Sequence, residues 1–225
     1  MKKDIKTFIP AAGLATRLGG IPKFLLPVND RQTLIGFHID NLKKIKNNEI
    51  LIGTNKKFYK TLQDIYEEIS IKKINSSSMV QTVTKLNLEN KKLSLVIMPD
   101  TYFENYKIIE YMREKITSSN LDVVLGIWKI KQSQIGKLGQ CKLDGDSVKK
   151  IIDKDVNCTE EYFWGLIMWK PSFNNFISDK DLHFGTSLNR AIENNLKIGY
   201  VKSQDEYFDC GTFDEYQNLL KNLSL

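Results

Sequence analysis

The sequence predicts an α/β fold with a mixed, mainly parallel sheet, helices on both faces and a small β-rich extension. Short apolar runs alternate with segments of helical periodicity through roughly the first 130 residues, which is typical of a parallel sheet covered on both faces. From about residue 130 onward, strand-like runs follow one another without full helices between them. This second pattern indicates mixed or antiparallel pairing.

In the first part of the chain, each predicted strand except the last is followed by a predicted helix. Strands are predicted over residues 6–10, 49–53, 71–74, 93–98 and 122–128, and helices over 33–45, 58–69, 80–88 and 106–116. The run 93–98 (LSLVIM) is apolar throughout and ends at Pro99-Asp100. Such a continuous run is typical of a central parallel strand.

The second part of the chain contains the predicted extension. Strands are predicted over residues 140–143, 147–152 and 162–169, followed by helices over 188–195 and 215–223. The sequence contains no internal repeat and no Pro- or Gly-rich linker. We therefore predict a single domain over residues 1–225.

Charge and cysteine content limit the classes of function. The formal charge of +6 suits an anionic ligand, but the lysines are scattered and form no basic stripe interleaved with stacking aromatics. The protein is therefore expected not to bind nucleic acid. Cys141, Cys158 and Cys210 form no CxxC pair, which favours a reduced, cytoplasmic compartment. The apolar runs are too short to span a bilayer, so no membrane association is expected.

The segment IPAAGLATRLGGIPKFLLPV, which begins within the first strand, has the composition of a phosphate-binding loop. Ligands bind beyond the carboxyl ends of strands in open α/β sheets. The small residues Ala11, Ala12, Gly13 and Ala15 let backbone N–H groups approach phosphate oxygens closely. Arg17 and, beyond it, Lys23 add two cations that can neutralise a triphosphate. The alternative is a small-residue turn with solvated basic side chains.

This loop resembles the signature of the sugar-phosphate nucleotidylyltransferases, the NDP-sugar pyrophosphorylases. Their pattern is roughly Gly-x-Gly-Thr-Arg, a gap, then Pro-Lys and an apolar run that ends in Pro. Thr16 and Arg17 match it, while Ala15 stands where the second glycine is usual. The short gap before Pro22-Lys23 is also similar to the cytidylyltransferase of isoprenoid synthesis and the molybdopterin guanylyltransferases. The resemblance implies a Rossmann-like fold of the nucleotide-diphospho-sugar transferase type, with Ala11, Ala12, Gly13, Ala15 and Thr16 binding the nucleotide.

Two carboxylates are candidates for binding Mg²⁺. Asp100 ends the most apolar strand, where the resembled family has a metal-binding Asp, although an Asp at this point is also a good cap for a following helix. Asp209, in YFDCGTFDEY, resembles the family's C-terminal Asp-x-Gly-Thr motif, whose Asp completes the metal site. We expect Asp214 to be an acid at the start of a helix and Cys210 to be a packing residue.

The acceptor contacts and the base contacts rest on weaker matches. In the resembled family, a Glu-Lys-Pro motif contacts the acceptor phosphate, and Asp153-Lys154 stands at this point, so Lys154 is the predicted contact. Trp164 is interpreted either as core or as a sugar-stacking residue, and Gly165 as a point where the acceptor passes close to the backbone. Within residues 76–82, Ser78 and Gln81 are the candidate base contacts.

The resemblance implies a magnesium-dependent nucleotidyltransferase. It is expected to move NMP from UTP, dTTP or CTP to a sugar-1-phosphate and release pyrophosphate, with Arg17, Lys23 and Asp100 as catalytic residues. About residues 1–130 are expected to bind the NTP and about 131–225 the acceptor. One alternative is a CTP-dependent cytidylyltransferase acting on a non-sugar phosphate or phosphonate. Another is a non-catalytic nucleotide-sensing domain, which need not keep both metal carboxylates.

Overall fold

The computed structural model describes residues 4–13, 20–87 and 91–223. Within them the strands are β1 (Ile5–Ala11), β2 (Asn48–Thr54), β3 (Ser70–Lys73), β4 (Leu93–Ile97), β5 (Thr101–Tyr102), β6 (Val123–Lys129), β7 (Gly139–Asp144), β8 (Ser147–Asp153), β9 (Tyr162–Trp169), β10 (Ile198–Lys202) and β11 (Phe208–Asp209). The helices are α1 (Leu34–Lys43), α2 (Lys56–Ile65), α3 (Met79–Leu86), α4 (Lys107–Ser118), α5 (Phe184–Glu193) and α6 (Phe213–Asn222).

One large sheet crosses the molecule in the strand order β3-β2-β1-β4-β9-β6-β10-β8-β7. β8 and β9 run antiparallel to their neighbours, and the other strands of this sheet share one direction. The predicted mixed, mainly parallel sheet is therefore confirmed. β7 and β8 form its β-rich edge, whereas β9 lies near the middle, between β4 and β6.

Every helix and strand expected from the sequence is present, with ends shifted by a few residues. Three strands were not expected: β10, and the short β5 and β11, which pair only with each other in the described part of the chain. A strand of two residues has no periodicity that a sequence pattern can reveal. Its existence depends on the segment that lies beside it.

The helices cover both faces of the sheet, as the alternation of elements predicted. α1, α2 and α4 contribute Ile35, Leu62 and Met112 to a core on one face. α3 and α5 contribute Val83 and Leu188 to a core on the other face. Because successive side chains of a strand point to opposite faces of the sheet, a strand can contribute side chains to both cores. α6 packs in a third, smaller cluster against the start of α1 and β5.

Several helices begin at polar caps that the sequence supplies locally. Thr33, Asn55, Ser78 and Thr212 each accept a hydrogen bond from a backbone N–H in the first turn of α1, α2, α3 and α6. Such caps satisfy N–H groups that otherwise have no partner in the helix. None of the helices in the described residues has both the length and the apolar composition needed to cross a bilayer.

Candidate active site

A cavity of about 440 Å³ lies beyond the carboxyl ends of β1 and β4, two neighbouring parallel strands. Residues 10–13, 22–24, 76–79 and 98–100, with Thr82, line it. The loop after the first strand and the end of the apolar strand β4 therefore face one space. This is the edge at which ligands bind in open α/β sheets.

The segment after β1 is held by polar side chains of the next strand and helix. Thr54 Oγ1 donates to the carbonyl of Ala11 at 3.2 Å, and Asn55 Nδ2 donates to the carbonyls of Ala12 and Gly13 at 3.2 and 2.9 Å. A Cβ added to Gly13 would meet nothing within 4 Å. The carbonyl oxygens are thus tied to the protein while open space lies beside Gly13. The predicted contacts Ala15, Thr16 and Arg17 lie outside the described residues.

Lys23 and Asp100 meet at the cavity. Lys23 begins a short 3₁₀ helix after Pro22, and its Nζ lies 3.6 Å from Asp100 Oδ2. Both side chains are largely shielded, at 17 % and 24 % exposed. The alternative that Asp100 caps the following helix is wrong, because α4 begins only at Lys107 and Tyr106 occupies its cap position.

Asp209 reaches the same place through the two-stranded ribbon of β5 and β11. Asp209 pairs with Thr101 in this ribbon, and the N–H of Cys210 donates to the carbonyl of Asp100 at 2.9 Å. Burial, together with the charges of Asp100 and Glu215, raises the pKa of Asp209 to about 7, although the charges of Lys23 and Lys154 act in the opposite direction. Two carboxylates distant in sequence therefore share one partly buried site.

A buried hydrogen-bond network holds the ribbon in place. His38 Nε2 lies 2.9 Å from the carbonyl of Thr101, and its Nδ1 contacts the Tyr106 hydroxyl. Burial raises the pKa of Tyr207, and the neighbouring side chain of Thr101 acts in the opposite direction. Burial lowers the pKa of His38 from 6.5 to about 4, so His38 is neutral at physiological pH. No sequence pattern pointed to Thr101 or Tyr207.

The candidate base contacts Ser78 and Gln81 have partners within the protein. Ser78 Oγ accepts from the N–H of Gln81 at 3.1 Å and donates to the carbonyl of Asp181 at 2.9 Å. The side-chain oxygen of Gln81 accepts from the N–H of Ser77 at 2.8 Å. Ser78 lines the cavity and caps α3, whereas Gln81 is not among the lining residues. Both contacts therefore have a structural role, and base recognition by them stays a prediction.

Lys154 follows the end of β8 and adopts an unusual backbone conformation. Its φ is 51°, in the left-handed region that side chains with a Cβ rarely enter. The side chain is exposed, and its charge is close enough to lower the pKa of Asp209. The predicted acceptor lysine thus belongs to the same electrostatic environment as the predicted metal carboxylates.

The structure gives Gly165 a different explanation from the one predicted. A Cβ at Gly165 would lie 2.5 Å from the ring of Tyr207 and 2.9 Å from that of Trp128. Close packing of these rings is enough to account for the missing side chain, and contact of Gly165 with the acceptor stays a prediction. Trp164 is half-buried against the core of the second face, and its Nε1 is buried without a hydrogen-bond partner among the described residues. Its contact with the acceptor stays a prediction.

Comparisons with known proteins agree with this architecture. Residues 7–141 match the sequence profile of the MobA-like NTP transferase domain. No curated protein sequence matches the chain. Among solved structures, a candidate glucose-1-phosphate thymidylyltransferase from Bacillus anthracis superposes with a TM-score of 0.84 at 18 % identity, covering 97 % of this chain and 95 % of that one.

Two further structures have the same fold. UTP-bound UGPase from Acinetobacter baumannii has a TM-score of 0.75 at 14 % identity, covering 99 % of this chain and 93 % of that one. The inositol-1-phosphate CTP transferase from T. maritima has a TM-score of 0.74 at 13 % identity, covering 97 % and 96 %. At these identities the likeness concerns the fold alone, and it confirms the predicted nucleotide-diphospho-sugar transferase type.

Proposed function

Because the chain belongs to the MobA-like NTP transferase domain family, we propose that it transfers NMP from UTP, dTTP or CTP to a sugar-1-phosphate and releases pyrophosphate. The observation that carries this proposal is the meeting of Lys23 and Asp100 in the lining of one cavity, close enough to Asp209 for their charges to shift its pKa. An anionic substrate with a bound cation suits this mixture of charges.

The NTP would bind with its phosphates against the segment after β1. Backbone N–H groups of Ala11, Ala12 and Gly13 are the groups that phosphate oxygens accept from in such loops. The open space beside Gly13 leaves room for the phosphate chain. Lys23, and Arg17 as the sequence predicts, would neutralise the charge of the α-phosphate and of the leaving pyrophosphate.

The donor set fits Mg²⁺ provided that the substrate supplies further ligands. Among the described residues there is no group of three or more His, Cys, Asp or Glu side chains that would hold a metal by itself. Magnesium in phosphate-transfer sites is ordinarily bound by one or two carboxylates together with phosphate oxygens and water. Asp100 and Asp209 would supply these carboxylates, and the bound ion would polarise the α-phosphate.

The acceptor would lie on the side of Lys154. Its ammonium group carries the charge needed to orient a phosphate near Asp209, whose pKa it already influences. The sugar-1-phosphate is the favoured acceptor because structures with this fold include a UDP-glucose pyrophosphorylase complexed with UDP-glucose. Trp164 and Gly165 remain the predicted contacts of the acceptor beyond its phosphate.

The chemistry is an in-line displacement. An ionised phosphate oxygen of the acceptor forms a bond to the α-phosphorus, and the bond to the bridging oxygen breaks so that pyrophosphate leaves. The protein needs to supply positioning and charge neutralisation and no nucleophile. In agreement, the nearby thiol of Cys210 is buried, and burial raises its pKa, which makes it unreactive at neutral pH.

A grid of substrates tests the proposal. UTP, dTTP, CTP, ATP and GTP are each combined with glucose-1-phosphate, other sugar-1-phosphates, inositol-1-phosphate, phosphocholine and a phosphonate, and pyrophosphate release is measured with Mg²⁺ and with EDTA. We expect Mg²⁺-dependent release with a sugar-1-phosphate. Release only with CTP and a non-sugar acceptor would establish the cytidylyltransferase instead. Tight NTP binding without release from any pair would point to a nucleotide-sensing domain.

A further inference from the structure

The residue before Lys154 contacts a histidine from a distant part of the chain. Asp153 Oδ2 lies 3.4 Å from Nε2 of His183, and both side chains are mostly shielded, at 21 % and 34 % exposed. Asp153 is the last residue of β8, and His183 occupies the cap position of α5. The contact therefore joins the end of a strand to the beginning of a helix.

α5 and β8 are also held in register one turn further along the helix. Asn189 accepts from the N–H of Ile151 at 2.8 Å and donates to its carbonyl at 2.8 Å. This pair of bonds lies two residues before Asp153 on β8. The contact between Asp153 and His183 thus extends an existing attachment to the point at which the chain leaves the sheet.

The other ring nitrogen of His183 lies against the first turn of α5. His183 Nδ1 is buried, has no hydrogen-bond partner among the described residues and lies 3.0 Å from where a Cβ of Gly185 would be. One edge of the ring therefore packs on α5 while Nε2, on the other edge, faces Asp153.

Lys154 needs such support because its conformation is unfavourable in isolation. A left-handed residue with a Cβ is strained and persists where surrounding contacts determine it. Lys154, with its φ of 51°, is the first residue after β8, at the point where the chain leaves the sheet. The residue immediately before it is the one that His183 contacts.

We propose that His183 is a positioning residue for the acceptor, which holds Asp153 and thereby the strained turn at Lys154 in the orientation that presents the lysine to the acceptor phosphate. This inference rests on the proposed function. His183 itself touches neither substrate. It acts through Asp153, whose carboxylate oxygen Oδ2 lies 3.4 Å from Nε2.

Substitution of His183 with a readout for each substrate tests this role. In His183→Ala the KM for the acceptor should rise about tenfold, while the KM for the NTP and the melting temperature stay unchanged. His183→Gln should restore the acceptor KM, because its amide nitrogen can donate from nearly the same position. Thr186→Ala is the matched control. Thr186 lies in the first turn of α5 and, like His183 and Asp153, lines a cavity of about 320 Å³.

Equal increases in both KM values, an unchanged acceptor KM or a failure of His183→Gln to restore it would overturn the proposal. A crystal structure of His183→Ala gives a test that does not depend on turnover. We expect φ of Lys154 to leave the left-handed region in this variant and to stay there in Thr186→Ala. If the φ of Lys154 is unchanged in His183→Ala, the positioning role is disproved, whether or not the substrate grid shows activity. If the φ of Lys154 shifts but the grid shows no activity, only the proposed function is refuted.

Discussion

The proposed NTP side of the candidate site lies at the ends of β1 and β4, which are neighbouring parallel strands. The proposed acceptor side lies on β8 and β9, which run antiparallel to their neighbours and are separated in the strand order. The NTP side presents small residues, backbone and a shielded ion pair of Lys23 and Asp100. The acceptor side presents Lys154 on an exposed, strained turn.

The two histidines of the chain show the same contrast. His38 is fully buried and supports the carbonyl of Thr101, next to Asp100. His183 is partly exposed and contacts Asp153, next to Lys154. Removing a side chain from a buried hydrogen-bond network lowers the free energy of unfolding strongly. Removing a charged contact near solvent lowers it less. If the proposed function holds, a change on the buried side of Asp100 should reduce turnover itself, whereas a change on the exposed side of Lys154 should alter the use of the acceptor.

The largest loss of activity should follow a substitution on the buried side, at Asp100. Asp100→Asn removes one of the two carboxylates proposed to bind Mg²⁺, so pyrophosphate release should fall at least about 100-fold. Circular dichroism and the melting temperature should stay normal. Asp155→Asn is the control, because Asp155 is an exposed acid beside Lys154 and should retain activity. Normal turnover in Asp100→Asn would remove the metal assignment.

The buried His38 should make stability depend on pH. Its pKa is about 4 in the folded protein and 6.5 in the unfolded chain, so between these values the unfolded state binds more protons. The free energy of unfolding contributed by His38 is therefore complete above pH 6.5 and is lost as the pH falls to about 4, by roughly 3 kcal/mol.

Chemical denaturation of the wild type and of His38→Gln at several pH values measures this loss. The raised pKa of Asp209 acts in the opposite direction over an overlapping range, but both proteins keep Asp209, so its contribution cancels in the difference. Parallel stability curves for the two proteins would contradict the prediction. They would mean that His38 is not held neutral by burial, and the contrast between the two sides would lose its main support.

Two glycines allow a direct comparison of the two sides. Gly165→Ala places a Cβ against Tyr207 and should lower the free energy of unfolding by about 1–3 kcal/mol. Gly13→Ala places a Cβ in open space, so stability should be unchanged while the KM for the NTP rises. Denaturant unfolding and steady-state kinetics of both variants test this. A stable Gly165→Ala with a raised acceptor KM would restore the predicted acceptor contact.

Lys154→Ala should affect one substrate only. The KM for the acceptor should rise about tenfold while the KM for the NTP changes little, because the lost charge faces the acceptor phosphate. Lys150→Ala is the control, since Lys150 is an exposed lysine earlier on the same strand. Steady-state kinetics with each substrate varied in turn would separate the two constants. Equal rises in both would indicate that Lys154 serves the shared metal site instead.

The smallest effect concerns Ser78. Because its hydroxyl caps α3 and bonds to the carbonyl of Asp181, Ser78→Ala should lower the free energy of unfolding by about 1 kcal/mol and leave the order of preference among NTPs unchanged. Urea unfolding and competition between NTPs measure the two effects. A changed order of preference in this variant would support the predicted role in base recognition.

The sequence alone determined the features that depend on neighbouring residues. Periodicity and apolar runs located all the helices and most strands, because the spacing of apolar residues within an element follows from which of its faces is buried. The loop after β1 and the end of β4 could be placed together because both follow predicted parallel strands. The NTP side was therefore largely predictable, including Lys23 and Asp100.

Only the tertiary structure decided the features that depend on distant segments. No local pattern could insert β9 between β4 and β6, pair β11 with β5, fill the space at Gly165 with Tyr207 or set His183 against Asp153. These contacts depend on long-range pairing, for which adjacent residues carry no signal. The physical reason is the same in each case. The spacing of apolar residues along the chain shows which face of a helix or strand is buried, but it does not show which other element packs against that face.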